Sequence, residues 1–123
     1  GISRDLQSAG TETDHFAEVA SVLNHVLANY GSELRVEGLA ELAGLSVYQL
    51  NRRIRAVFGI TTSQLITKSR IDAASEMLRS GNRPIAEVAN ACGYFDQSAF
   101  SRVFRRTVGL TPRQYRARRR IDD

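Results

Sequence analysis

Residues 96–115, DQSAFSRVFRRTVGLTPRQY, contain the pattern that decides the fold of this 123-residue chain. Asp96 suits the N-cap of a helix, where its carboxylate accepts hydrogen bonds from backbone N–H groups that lack a helical partner. Phe100, Val103 and Phe104 recur at helical spacing, which predicts a helix with one face toward a core. The opposite face carries amide, hydroxyl and guanidinium groups, which suit DNA base edges and phosphates. We therefore predict DNA contacts for Gln97, Ser98, Ser101, Arg102, Arg105 and Arg106.

A shorter helix is predicted immediately upstream, within residues 84–93, PIAEVANACG. Pro84 is tolerated early in a helix because the first backbone N–H groups have no intrahelical partner. Gly93 can adopt the left-handed conformation that ends a helix. The apolar face between them comprises Ile85, Val88, Ala89 and Cys92. A short helix, a tight turn and a second amphipathic helix form a helix-turn-helix, whose second helix enters the major groove of DNA.

The same pattern occurs earlier in the chain, with one residue fewer in its turn. The first part repeats at an offset of 49 residues in Val36, Leu39, Ala40, Ala43 and Gly44, and the second at an offset of 50 in Leu50, Arg52, Ile54, Arg55, Gly59 and Thr61. One polar helix face is more often a solvated surface, but two matched faces in one chain are difficult to attribute to solubility. The first copy predicts DNA contacts for Ser46, Val47, Tyr48, Asn51, Arg52 and Arg55.

Two of these residues have alternative interpretations. Tyr48 either packs on a neighbouring helix or contacts a base or sugar, and its position beside Asn51 and Arg52 favours the second. Arg102 either contacts a base or forms an ion pair with a nearby carboxylate such as Glu87.

The second copy resembles the AraC/XylS family of bacterial transcription regulators. The resemblance rests on GYFDQS at 93–98, FSRVFR at 100–105, GLTP at 109–112 and the pair Tyr115-Arg116. The first copy matches more loosely, and the whole resemblance covers residues 14–116. It implies a monomeric unit of two helix-turn-helix subdomains joined by one long helix, with an effector-sensing or dimerising N-terminal domain in the full-length protein. Gly38, Ile54 and Phe95 depart from the family pattern, and we expect all three to affect packing rather than function.

The predicted fold is all-α, with about seven helices in two helix-turn-helix subdomains and a long central helix. The expected segments are a disordered arm or linker at 1–13, a first subdomain at 14–61, a connecting helix at 62–80, a second subdomain at 81–117 and a basic and acidic tail at 118–123. A connecting helix of roughly 18 residues would be about 27 Å long. Successive major grooves on one face of DNA are about 34 Å apart, so a connector of this length permits two adjacent contacts. The arginines from Arg116 onward are either a solvated end or an additional phosphate clamp.

Charge is distributed unevenly along the chain. Residues 1–44 contain two basic and seven acidic residues, a net charge of −5, whereas residues 45–123 contain fifteen basic and six acidic residues, a net charge of +9. A basic surface attracts polyanions such as nucleic acids. A membrane surface is a weaker fit because each apolar helix face has a partner helix, and no apolar run is long enough to span a bilayer. Cys92 is the one cysteine, which excludes an internal disulfide and suits a reducing cytoplasm.

These patterns favour sequence-specific binding of double-stranded DNA by two recognition helices in adjacent major grooves, as the output domain of a bacterial transcription regulator. The alternative is a basic helical module that binds an acidic protein partner. An enzyme is not expected, because the sequence has no glycine-rich phosphate loop and no recognisable nucleophile–histidine–acid set. His15 and His25 have no ligand partners at metal-binding spacing, so no metal or cofactor is predicted. The expected partners are promoter DNA and RNA polymerase, and the expected location is the cytoplasm, at the nucleoid.

Overall fold

Seven helices make up most of residues 2–122, the part of the chain whose backbone the computed structural model describes; side chains are described for residues 16–118. The helices are α1 (Ile2–Asn29), α2 (Val36–Ala43), α3 (Val47–Phe58), α4 (Thr62–Ser80), α5 (Ile85–Ala91), α6 (Gln97–Val108) and α7 (Pro112–Asp122). The chain divides into two compact units, the first of Gly1–Asn29 and Leu34–Leu65 and the second of Tyr30–Glu33 and Ile66–Asp123. The prediction of an all-α fold with about seven helices is confirmed.

The core of the first unit lies between α1, α2 and α3. Its buried side chains are Val19, Val22, Val26, Leu39, Ala40, Leu50, Ile54 and Leu65. They recur at helical spacing along each element, so each helix buries one stripe and leaves the opposite face in solvent. An ion pair between Arg53 of α3 and Glu18 of α1 also links these two helices.

The core of the second unit is richer in aromatic rings. Tyr94, Phe100, Phe104 and Tyr115 form a continuous series, with successive ring centroids 5.5, 5.7 and 5.5 Å apart. The tilted and edge-on arrangements are those that aromatic quadrupoles favour. The aliphatic part of this core comprises Ile71, Ala74, Leu78, Val88, Ala89 and Cys92. These contacts hold the exposed face of α6 on a rigid support.

Arg70 of α4 joins three parts of the second unit. Its Nε donates to the carbonyl of Tyr30 at 3.1 Å, and one Nη donates to the carbonyl of Ser32 at 3.0 Å. Its guanidinium also lies 5.7 Å from the ring centroid of Tyr94. Glycine is needed at position 93 for two reasons. Its φ of +89° is unfavourable for other residues, and a Cβ atom there would lie 2.9 Å from the Tyr30 carbonyl oxygen.

Helix α1 begins at Ile2, and its residues 2–15 lie outside the part of the chain whose side chains are described. The disordered arm or linker expected at 1–13 falls in this segment and stays a prediction.

The last helix, α7, continues to Asp122, so most of the tail predicted at 118–123 lies within the bounds of this helix. The Arg116 guanidinium donates to the carbonyl of Arg83 at 2.7 Å and to that of Leu78 at 3.4 Å. Arg116 is thus neither a solvated end nor a free phosphate clamp; it attaches α7 to the end of α4. Arg118 is exposed, and the side chains of residues 119–123 lie outside the described set.

Candidate nucleic-acid interface

A capping box starts α3. Ser46 Oγ accepts from the backbone N–H of Gln49 at 3.1 Å, and the N–H of Ser46 donates to Gln49 Oε1 at 3.0 Å. This reciprocal pair satisfies two otherwise unpaired groups at the helix start. Ser46, predicted to contact DNA, therefore also has a structural role, because its hydroxyl oxygen already accepts a hydrogen bond.

The exposed face of α3 carries one aromatic and two guanidinium groups. Tyr48 is 70% exposed, and the Arg52 guanidinium lies 5.9 Å from the centroid of its ring. Arg55 is exposed one turn further along the same side, whereas Val47 is partly buried. Because Tyr48 is so exposed, its ring is accessible for a base or sugar contact, which favours that interpretation over packing on a neighbouring helix.

Asn51 has a role that the sequence did not indicate. Its Oδ1 accepts from the backbone N–H of Thr62 at 3.0 Å, which connects α3 to the first turn of α4. The side chain is partly buried and its oxygen already accepts one hydrogen bond, so Asn51 has a structural role beside the predicted DNA contact, which stays a prediction. The corresponding positions in the second copy are Ser101, also partly buried, and Pro112, which has no N–H to satisfy.

The start of α6 uses a simpler cap. The N–H of Ser98 donates to Asp96 Oδ1 at 2.9 Å, which confirms Asp96 as the N-cap. Among the predicted contacts of this helix, the exposed side chains are Gln97, Ser98, Arg102, Arg105 and Arg106. The structure thus brings five of the six residues predicted for this helix to the surface of one element.

The arginines of both faces are available to bind anions. Within the side chains described, 16–118, none of the five forms an ion pair; they are Arg52, Arg55, Arg102, Arg105 and Arg106. Glu87 instead pairs with Arg83 at 3.9 Å, which is against the alternative in which Arg102 pairs with Glu87. The guanidinium groups of these arginines make both faces basic.

Arg113 of α7 is a further basic residue beside the exposed face of α6. An open cavity of about 440 Å³ in the second unit is lined by Gln97 of α6 and by Arg113 of α7, together with parts of α5. Arg113 is exposed and adds a positive charge next to a predicted DNA contact. Sequence reasoning missed it, because its relation to Gln97 depends on how α7 packs against α6.

Three other kinds of site were considered: a reactive thiol, a metal site and a membrane-spanning helix. Cys92 is fully buried, and this burial raises the pKa of its thiol to about 11, so it behaves as a small apolar side chain. No group of three or more His, Cys, Asp or Glu residues within residues 16–118 is arranged to hold a metal ion. None of the helices in the described range is both long and apolar enough to cross a membrane.

Comparison with known proteins gives the same class of protein. A family model described as a helix-turn-helix domain matches residues 39–118. The regulatory protein SoxS of Salmonella typhimurium is 33% identical over 104 residues, which are 85% of this chain and 97% of SoxS. The chain spans only 35–37% of the length of several other curated regulators that it matches.

Two solved structures share the fold. The DNA-binding domain of AdpA, a global transcriptional factor crystallised in complex with a target DNA, has a TM-score of 0.80 and 31% identity, covering 85% of this chain and 94% of that one. An AraC-type regulator from Chromobacterium violaceum has a TM-score of 0.79 and 26% identity, covering 90% and 96%. The fold is that of helix-turn-helix transcription regulators. The chain belongs to the AraC/XylS family of DNA-binding transcription regulators.

Proposed function

We propose that this chain binds double-stranded DNA sequence-specifically, with α3 and α6 in two adjacent major grooves, as the output domain of a bacterial transcription regulator. The observation that supports this most directly is the repetition of one exposed face. Arg52 and Arg55 of α3 lie at the same helical positions as Arg102 and Arg105 of α6, and all four are exposed. Two such faces, each supported by its own core, match the two-site contact that the function requires.

The residues divide by position along each recognition helix. The N-terminal part of such a helix contacts base edges, and later residues contact the backbone. We assign base readout to Tyr48 and Arg52 in α3 and to Gln97, Ser98 and Arg102 in α6. Arg55, Arg105 and Arg106 contact phosphates, and Arg113 adds a further phosphate contact from α7. Ser46, Val47, Asn51 and Ser101 mainly position these side chains, since they are capping or partly buried.

The duplicated helix-turn-helix and the lengths of the relatives support proposals for the oligomeric state and the partners. One chain supplies two recognition helices, so the isolated domain binds as a monomer. Several of the matched regulators extend well beyond the shared region. We propose that the full-length protein also has an N-terminal domain and dimerises through it. The proposed partners are promoter DNA and RNA polymerase, the proposed location is the cytoplasm at the nucleoid, and the function requires no catalytic step.

In vitro selection from a random DNA library tests this function and yields the binding site. The domain should enrich one sequence, and footprinting on that sequence should show protection of two neighbouring major grooves on one face, over about two turns or ~20 bp. Protection of a single groove, or a need for two copies of the domain on one short site, would contradict the proposal. Failure to enrich any DNA would favour the alternative of an acidic protein partner.

A further inference from the structure

Phe95 is the most exposed large apolar side chain among residues 16–118. It is 99% exposed, although it directly precedes Asp96, the N-cap of α6. The sequence-based expectation was that this departure from the family pattern affects packing. That expectation is wrong, because a side chain so exposed contributes nothing to the core.

Phe95 is exposed because its neighbour Tyr94 packs on the start of α6 in its place. An apolar residue just before an N-cap often packs on the fourth residue of the helix, here Phe100. In this structure Tyr94 fills that role, with its ring 5.5 Å from the ring of Phe100. Phe95 corresponds to the one extra residue in the turn of the second copy. The first copy has Leu45, partly buried, directly before its cap.

Phe95 is therefore placed with the residues proposed to read bases. Asp96 holds the start of α6 through the N–H of Ser98, so Phe95 lies at the same end of the helix as Gln97 and Ser98. Base-edge contacts are made from this end of a recognition helix. The 5-methyl group of thymine is the apolar feature of the major groove, and phenylalanine is among the side chains that contact it.

We propose that Phe95 is a specificity-determining residue that contacts a thymine methyl group in the major groove occupied by α6. This inference rests on the proposed DNA-binding function and adds one base class to it. An exposed ring is energetically unfavourable in water, and covering it with a methyl group removes apolar surface from both partners. The contact adds thymine preference at one base pair, beside the pairs read by the polar side chains of α6.

The test combines a protein variant with a DNA variant. DNA sites are selected with the wild type and with Phe95→Ser, and each thymine of the best wild-type site is then replaced singly by deoxyuridine, which lacks only the methyl group. At one position in the part of the site bound by α6, the wild type should lose about fourfold in affinity, the equivalent of one buried methyl-sized group. Phe95→Ser should bind thymine and deoxyuridine equally there. Phe95→Leu should keep part of the discrimination.

The controls separate this contact from other effects. Melting temperature should be unchanged in Phe95→Ser, since the ring packs on nothing. Leu42→Asn, which removes an exposed apolar side chain from α2, should leave the response to deoxyuridine unchanged. Equal deoxyuridine effects in the wild type and Phe95→Ser at every position would overturn the thymine contact, whether Phe95→Ser binds all DNA more weakly or as well as the wild type. Failure of the wild type to enrich any sequence would overturn the proposed function as well, so the two failures are distinguishable.

Discussion

The side-chain oxygen of Asn51 accepts a hydrogen bond from the backbone N–H of Thr62 at 3.0 Å, and this bond connects the first recognition helix to the central helix. The N–H of Thr62 lies in the first turn of α4, where it has no intrahelical acceptor. Replacing Asn51 with alanine should therefore lower the free energy of unfolding by about 1 kcal/mol. Chemical denaturation measures the change.

A double-mutant cycle identifies the cause of that loss. Thr62→Pro removes the N–H and imitates Pro112, which occupies the corresponding position in the second copy. In this background Asn51→Ala should cost close to nothing. If the two changes are instead additive, Asn51 stabilises the first unit through other contacts.

Two glycines of the first unit allow a matched test of backbone conformation. An added Cβ meets nothing within 4 Å at either Gly38 or Gly44, but Gly44 has φ +70° whereas Gly38 is inside α2. Gly38→Ala should stabilise the protein by about 0.5–1 kcal/mol, because alanine favours the helix. Gly44→Ala should destabilise it by about 1 kcal/mol or more, because the left-handed conformation is unfavourable for alanine. Thermal unfolding of both variants measures the contrast, and effects of the same sign would contradict it.

The buried thiol of Cys92 makes stability depend on alkaline pH. Burial raises its pKa from an ordinary value of 9.0 to about 11, so between these values the native state holds a proton that the unfolded chain releases. This contribution is complete below pH 9 and is lost as pH rises through 11, so the free energy of unfolding should fall over that range. Burial also raises the pKa of Tyr94, which acts in the same direction. Cys92→Ala should therefore flatten the curve without removing its slope entirely; an unchanged curve would contradict the assignment to Cys92.

The sequence predicted contacts between residues that are close together in the chain better than contacts between residues that are far apart. The caps at Ser46, Asp96 and Thr111 use bonds to residues two or three positions away, so they could be read directly from the chain. The same is true of the apolar spacing that predicted α5 and α6 and the matching α2 and α3. The hydrogen bonds of Arg116 and Asn51 within the fold could not be predicted in this way, because their partners are 33 and 11 residues away and depend on how the helices pack.

Phe95 shows a different limit of sequence reasoning. Its apolar character indicated packing, but two adjacent aromatic residues competed for one site on Phe100, and Tyr94 occupies it. Apolar spacing alone does not decide which of two adjacent residues in a turn is buried. The structure was needed to show which ring is left in solvent.

The affinity for DNA should fall steeply with salt. The five arginines on α3 and α6 form no ion pair with another side chain in the described range 16–118. If all five contact phosphates, the slope of log affinity against log salt concentration should be about −4 to −5, and it should be shallower if some contact bases. Binding of the selected site measured by fluorescence anisotropy at several salt concentrations gives this slope. Lys68→Gln is the control, because it removes one positive charge outside α3 and α6, from a lysine already paired with Asp72 at 3.1 Å. The salt slope of this variant should match that of the wild type. A slope near zero would be inconsistent with an electrostatic interface.

Arg102 and Arg106 should differ in the kind of contact they make, although they lie one turn apart on α6. Arg102 is in the first turns of the helix, near Gln97 and Ser98, where a guanidinium can bond guanine O6 and N7 together. Arg102→Ala should cost about 1–3 kcal/mol on the best site and relax the preference at one or two base pairs. Arg106→Ala should weaken binding to all sequences about equally and make the salt slope shallower by about one. Selection with each variant, together with salt titration, measures both effects, and the same contrast is expected between Arg52 and Arg55.

A structural role for Arg102 would produce a different result. If its guanidinium mainly held the second unit together, the alanine variant would melt at a lower temperature and bind every sequence more weakly, with its base preferences unchanged. The exposed position of Arg102, and the pairing of Glu87 with Arg83, favour an unchanged melting temperature instead. Arg70→Ala is the positive control for a structural arginine, because it removes two hydrogen bonds to the carbonyls of Tyr30 and Ser32 and should lower the melting temperature clearly. Melting temperature and base preference measured on the same purified proteins therefore distinguish a residue that reads DNA from one that supports the fold.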